Sequence, residues 1–245
     1  GAAGRAPVAD EPGRIRNVVL VGHSGAGKTT LVEALLVATG TIPRAGRVED
    51  GTTVSDFDEA EIRQQRSISL TIAPFEHNGV KVNLLDSPGY ADFTGDLRAG
   101  LRAADAALFV VSAADGVDGT TQMIWEECAT VGMPRAVVIT RLDSPRADFD
   151  ATLAACQSAF GDGVMPVYLP LHGDGDDVAG LIGLLSQQVF DYSSGSRAQR
   201  DPDPEHLPLI QEHRNALIEG VIAESEDETL MDRYLGGEEI DVKVL

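Results

Sequence analysis

Positive charge is what this sequence has least of. Lysine and arginine number 19 against 39 aspartates and glutamates, for a formal net charge of −20, and the only lysines are Lys28, Lys81 and Lys243. That balance argues against a protein that grips nucleic acid by neutralising phosphates, because such binding needs clustered cations; no nucleic-acid patch is visible. Cysteine is nearly absent too. Cys128 and Cys156 lie far apart and form no CxxC, which excludes a disulfide framework and predicts reduced thiols on helices of a cytoplasmic protein. No apolar run approaches the ~20 residues a membrane helix needs, so no membrane partner is expected. The opening residues, 1–13, are small, polar and proline-containing with no signal-peptide pattern, and read as a disordered tail. His172, His206 and His213 lack a metal-binding spacing such as HExxH, so none is read as a metal ligand.

What is present is ordinary globular material, 43% hydrophobic over 245 residues, enough for one large domain or two small ones. The acidity is uneven. Residues 201–245 hold thirteen carboxylates against Arg214, Arg233 and Lys243, which describes either a solvated helical surface or a docking face for a basic partner. Three apolar runs, 18–21, 106–111 and 136–139, lack period-2 alternation and suit strands buried on both faces of a parallel sheet. Helical patterns follow the first two. Leu31, Val32, Leu35 and Leu36 stop at Gly40, while Ile124, Cys128 and Val131 stop at Gly132, with Thr120 or Thr121 as N-cap. Strand–helix repetition predicts a doubly wound α/β sheet with helices on both faces.

One pair breaks that pattern. Residues 67–75 alternate, His77-Asn78-Gly79 makes a turn, and 80–85 return, giving an antiparallel edge hairpin. Before it, 41–66 is a long loop rich in glycine and charge, a length that is usually functional. From residue 161 the texture changes. Residues 164–171 read as an edge strand because Pro166 and Pro170 lack N–H donors, 193–208 as a polar linker, and 209–223 and 227–235 as helices. A core over 14–160 and a small appended α/β subdomain over 161–245 are expected.

Gly22-His23-Ser24-Gly25-Ala26-Gly27-Lys28-Thr29 fits GxxxxGK[ST] between a buried strand and a helix, the context that marks a phosphate-binding loop. Gly25 and Gly27 let the backbone curl so that successive N–H groups face a phosphate, aided by the helix dipole. Lys28 adds a point charge for the β and γ phosphates, and the Thr29 hydroxyl is a Mg²⁺ ligand, with Thr30 beside it in the site. Asp86, followed by Ser87-Pro88-Gly89, ends a strand where a carboxylate holds a Mg²⁺ water, and the Gly89 N–H is free to meet the γ-phosphate. Asp143, beyond the run 136–139, is the candidate base reader. A carboxylate accepts from the N1–H and N2 amino group of guanine, whereas adenine N1 opposes it with a lone pair. Its other reading is an N-cap for the helix that follows.

The set GHSGAGKTT, DSPGYADF, AADGVDGTTQ and TRLD resembles the G domain of translational GTPases, most closely elongation factor G and its paralogues. The similarity runs over nearly the whole chain from Arg14. The later stretch, from PVYLPL to YLGGEEI, is similar to the insertion subdomain that elongation factor G carries in its G domain. The resemblance implies GTP and GDP as ligands with Mg²⁺, switch loops over 41–66 and from Asp86 to Tyr90, and Ser69 as the second hydroxyl on Mg²⁺. It also implies a monomer acting at the ribosome, with the acidic insertion meeting a ribosomal stalk protein.

Four departures from the family pattern bear on activity. The family's water-positioning histidine is Tyr90 here, a phenol with pKa near ~10 that carries no positive charge at neutral pH. The P-loop aspartate is Gly25. The Asn-Lys-x-Asp signature reads Thr140-Arg141-Leu142-Asp143, keeping the carboxylate and a stem to lie over the base but losing the amide. The last base-contacting loop of the family has no counterpart before residue 245, so a weakened nucleotide affinity is expected. Tyr90 and Gly25 predict slow or absent hydrolysis. The alternatives are a non-hydrolysing GTP-bound regulator, a ribosome-protection factor and, more remotely, a P-loop ATPase or small-molecule kinase.

Overall fold

Strands with apolar residues on both sides need cover on both sides, and the first strand illustrates it. In β1 (Ile15–Val21), consecutive Val19 and Leu20 are fully buried, as are Phe109 and its neighbour Val110 at 0% and 1% exposure in β4 (Ala106–Ser112). The computed structural model describes residues 11–23, 25–41, 71–86, 101–175, 177–241 and 243. The chain divides into two units, Gly1–Asp148 and Phe149–Leu245.

In the first unit, β2 (Thr71–His77), β3 (Val80–Asp86) and β5 (Arg135–Thr140) complete a five-stranded sheet in the order β2-β3-β1-β4-β5. All pairs are parallel except β2 with β3. That hairpin turns on Asn78 (φ 49°) and Gly79 (φ 77°), the doubly left-handed turn whose twist suits a two-residue loop. Pro74 fits because, among the described residues, β2 is the sheet's edge and has a partner on one side only. The strand starts at Thr71, and the expected residues before it, 67–70, lie outside the described residues, as does 42–66 of the expected loop.

Helices cover both faces. From α1 (Lys28–Ala38), Val32 and Leu36 pack with Leu20, Ala73, Phe75 and Leu84. On the other face, Trp125 of α2 (Gly119–Thr130) meets Phe109 edge-on at 4.9 Å between ring centroids. Each helix ends at a left-handed glycine, Gly40 or Gly132, with Thr41 N–H donating to Leu36 O at 2.8 Å and Met133 N–H to Cys128 O at 3.0 Å. These are Schellman closures. The start of α2 corrects the expected cap at Thr120 or Thr121. Asp118 is the N-cap, its carboxylate accepting from Thr121 N–H at 2.7 Å, because Gly119 already carries helical backbone and a carboxylate there also answers the helix dipole. Residues 1–10 of the expected tail lie outside the described residues. Pro12–Arg14 form a 3-10 turn whose last bond runs from Ile15 N–H to Pro12 O.

The second unit has its own sheet, β6 (Tyr168–His172), β7 (Val178–Gly183), β8 (Gln188–Asp191) and β9 (Ala198–Arg200), antiparallel throughout in sequence order. Pro170 sits on edge strand β6, and the strand begins at Tyr168 rather than 164. Leu169, Leu171, Ile182, Leu184 and Val189 pack on Ile210 and Leu217 of α4 (Leu207–Glu224), with Phe149 of α3 (Phe149–Phe160) against them. A second cluster joins Ile218 and Ile222 to Leu230 of α5 (Thr229–Leu235) and to Ile240. The expected linker 193–208 is corrected. It contains β9 and a 3-10 turn, Pro204–His206, because Val189, Phe190 and Asp191 of β8 pair with Arg200, Gln199 and Ala198.

Candidate nucleotide-binding site

Parallel strands deliver their carboxyl ends to one edge of a sheet, where open α/β folds bind ligands. Here Leu20 of β1 is level with Asp86 of β3, and Ser112 of β4 with Thr140 of β5, so the P-loop, Asp86 and Thr140 emerge together. The loop leaves β1 at Gly22, where a Cβ would stand 2.6 Å from the Val110 carbonyl oxygen; no side chain fits between loop and strand. Gly25 (φ 88°) and Gly27 (φ 94°) are both left-handed, a conformation glycine adopts without steric cost. Gly27 is the N-cap of α1 and brings no side-chain oxygen to the first-turn N–H groups. Those donors and the positive end of an 11-residue helix suit an anion.

Lys28 opens the helix with its ammonium drawn inward. Lys28 Nζ lies 3.7 Å from Asp86 Oδ1, the two side chains 9% and 2% exposed. Burial pushes the lysine below its ordinary value, against the opposing pull of Asp86. A buried pair of this kind adds little net stability, so its persistence in the cradle speaks for chemistry. The sequence predicts a Mg²⁺ water on Asp86; what the structure displays is its pairing with the lysine, a link that a linear motif does not show. Thr29, half-buried one residue on, carries its hydroxyl in the same first turn. A hydroxyl, a carboxylate and an ammonium around open N–H groups fit a metal-bound polyphosphate.

Thr140 donates its hydroxyl hydrogen to Ala26 O at 2.6 Å and lies 3.3 Å from Val111 O. β5 is thereby tied to the P-loop. Arg141 follows in the left-handed region (φ 59°), unusual for a side chain of that size, and Ser144 N–H to Arg141 O at 3.0 Å closes the turn that carries Asp143. Asp143 is exposed and precedes the start of α3 at Phe149 by a further turn, so the N-cap reading falls. His23 is half-buried and Thr30 exposed. Ser24, Ser69, Ser87, Pro88, Gly89 and Tyr90 lie outside the described residues. Away from this edge, Asp203, Glu205 and His206 bring ligand-type atoms within 4.8 Å of one another, but Asp203 is already paired with Arg200 at 3.2 Å.

Comparison with known proteins agrees with this geometry. The "Elongation factor Tu GTP binding domain" family matches residues 13–235. Two strains of Mycobacterium tuberculosis carry an "Elongation factor G-like protein" that is 61% identical over 99% of this chain and 33% of its own length. A crystal structure from Thermus thermophilus superposes with a TM-score of 0.85 at 40% identity, covering 94% of this chain and 34% of that one. The chain thus spans about a third of the length of these relatives. With a phosphate cradle at the carboxyl edge of its sheet and a match across nearly all of its length, the chain belongs to the elongation factor Tu GTP-binding domain family, as a G domain of the translational GTPase kind.

Proposed function

We propose that this chain binds GTP and GDP with Mg²⁺ and serves as the nucleotide-sensing part of an elongation-factor-G-like factor at the ribosome. The observation that carries the reading is the Lys28–Asp86 pair, held at 3.7 Å and buried beside a helix start opened by Gly27. Bound Mg²⁺ would neutralise phosphate charge. The chain's own groups do the rest: loop N–H groups and Lys28 orient the phosphates, Thr29, Ser69 and Asp86 (through a water) hold the ion, and Asp143 selects guanine, with Arg141 completing that end of the site. Calorimetric titration with GDP, a non-hydrolysable GTP analogue and ATP tests it. Micromolar or tighter guanine binding that Lys28→Ala abolishes is expected. ATP binding as tightly as GDP would replace the reading with a P-loop ATPase or kinase.

Hydrolysis is proposed to be slow or lost, on the residues Tyr90 and Gly25. Removing a positioned general acid–base group typically costs about 10²–10⁴ in rate. Single-turnover phosphate release, with and without ribosomes, should be slow and should rise with Tyr90→His. Release at ordinary translational-GTPase rates would remove the non-hydrolysing regulator from consideration. The partners proposed are the ribosome and, through the acidic residues of 201–245, its stalk protein, with the domain a cytoplasmic monomer. No helix among the described residues is long and apolar enough to cross a membrane.

A further inference from the structure

We propose that Thr140 is a positioning residue of the phosphate cradle and takes no part in reading the base, an inference that rests on the guanine-nucleotide reading above. A threonine hydroxyl has one hydrogen to give. Here it is given to Ala26 O at 2.6 Å, a short contact, with Val111 O as a more distant second acceptor at 3.3 Å. The purine edge at N7 and O6 of guanine accepts hydrogen bonds and needs a donor. Thr140 has none left to offer it.

What the bond does follows from peptide planarity. In a trans peptide the C=O of Ala26 and the N–H of Gly27 point in opposite directions from one rigid plane. Holding the carbonyl against β5 therefore aims the Gly27 N–H the other way, into the curve of the loop. Gly27 is left-handed (φ 94°), and a Cβ on it would meet Thr140 Oγ1 at 3.6 Å, so loop and threonine are packed as well as bonded. The strand end cannot drift either, because Ala113 N–H donates to Thr140 O at 2.9 Å. Thr140 thus joins β4, β5 and the loop at one point, and its effect belongs to the phosphate tail.

The test compares Thr140→Val, which keeps shape and removes the hydroxyl, with Thr140→Ser, which keeps the hydroxyl, and with Asp143→Ala. Affinities for GDP, for IDP, whose hypoxanthine lacks the 2-amino group, and for 7-deaza-GDP, which lacks the N7 acceptor, are measured together with melting of the nucleotide-free protein. Losing a hydrogen bond to a buried carbonyl predicts about 10-fold weaker GDP binding for Thr140→Val. The GDP/7-deaza-GDP and GDP/IDP ratios should be unchanged, Thr140→Ser should stay near the starting affinity, and Asp143→Ala should collapse the GDP/IDP ratio. Unchanged GDP affinity in Thr140→Val would overturn the proposal. So would a shift in its GDP/7-deaza-GDP ratio, which would make Thr140 a base reader, or a loss in Thr140→Val matched by Thr140→Ser. Failure of the unsubstituted protein to bind GDP would instead sink the parent reading, and this one with it.

Discussion

At the scale of single residues, burial decides what each polar group does. Lys28 and Asp86 are both enclosed, so removing one partner leaves charge in a poorly solvating site. Asp86→Leu should destabilise the protein by about 3 kcal/mol, and the Lys28→Met/Asp86→Leu double variant should recover most of it while losing nucleotide binding. Denaturant titrations of the singles and the double measure the coupling, and additive losses would show that the pair does not interact. The thiols obey the same rule. Cys156 is pushed up to about 11 by burial, and Cys128 is also raised, chiefly by burial. Near pH 8 neither populates the thiolate that reacts. Thiol-specific labelling of the native protein should be slow at both, and fast for both only after unfolding. Rapid native labelling would mean that these helices open far more often than their packing implies.

At the scale of elements, the ends of helices and strands carry the identifiable risks. Asp118→Ala removes the side-chain cap of α2 and should cost about 1 kcal/mol, read as a lower denaturation midpoint. In the second unit three carboxylates, Asp191 half-buried and Asp227 and Glu238 exposed, hold local structure together. Asp227 is lowered first by its hydrogen bond from the Thr229 hydroxyl, Asp191 by that from Ser193, and Glu238 by that from Arg233. Each folded value lies below the ordinary one, 3.8 for the aspartates and 4.5 for the glutamate. Their contribution is therefore complete above those values and is lost as pH falls through the lowered ones. Melting temperature should hold from pH 7 to about 5 and fall below about 4. The Asp227→Asn/Asp191→Asn/Glu238→Gln variant should show a shallower acid slope; an identical slope would place the acid sensitivity elsewhere.

At the scale of the whole molecule, two separately cored units share one chain. The second unit encloses Leu184 and Val189 at 0% exposure with Ile182 at 2%, among residues of its own sheet and of α4. A fragment covering 149–245 should therefore fold by itself, giving mixed α/β circular dichroism and a cooperative melt. Leu184→Ala in that fragment should cost about 2–5 kcal/mol. A fragment without a cooperative transition would show that its core depends on the first unit.

Much of the first unit is legible in the sequence because its signals are local. Buried strands read as unbroken apolar runs, Asn78-Gly79 announces a hairpin, and the glycines of the P-loop sit where side chains would be strained or would collide, as Gly22 would with Val110 O. The small sheet of the second unit is not legible in full. β8 and β9 are only four and three residues long, and β9 is a strand only because β8 lies beside it. The cap at Asp118 is masked in the sequence by the competing hydroxyls of Thr120 and Thr121. In the site, sequence alone determined the backbone shape of the loop, since that motif is contiguous and its demands are met by glycine. Tertiary structure alone decided that Asp86 faces Lys28 and that Thr140 faces Ala26. Those contacts join residues 58 and 114 positions apart, and only the register of neighbouring parallel strands brings such distant groups within bonding reach.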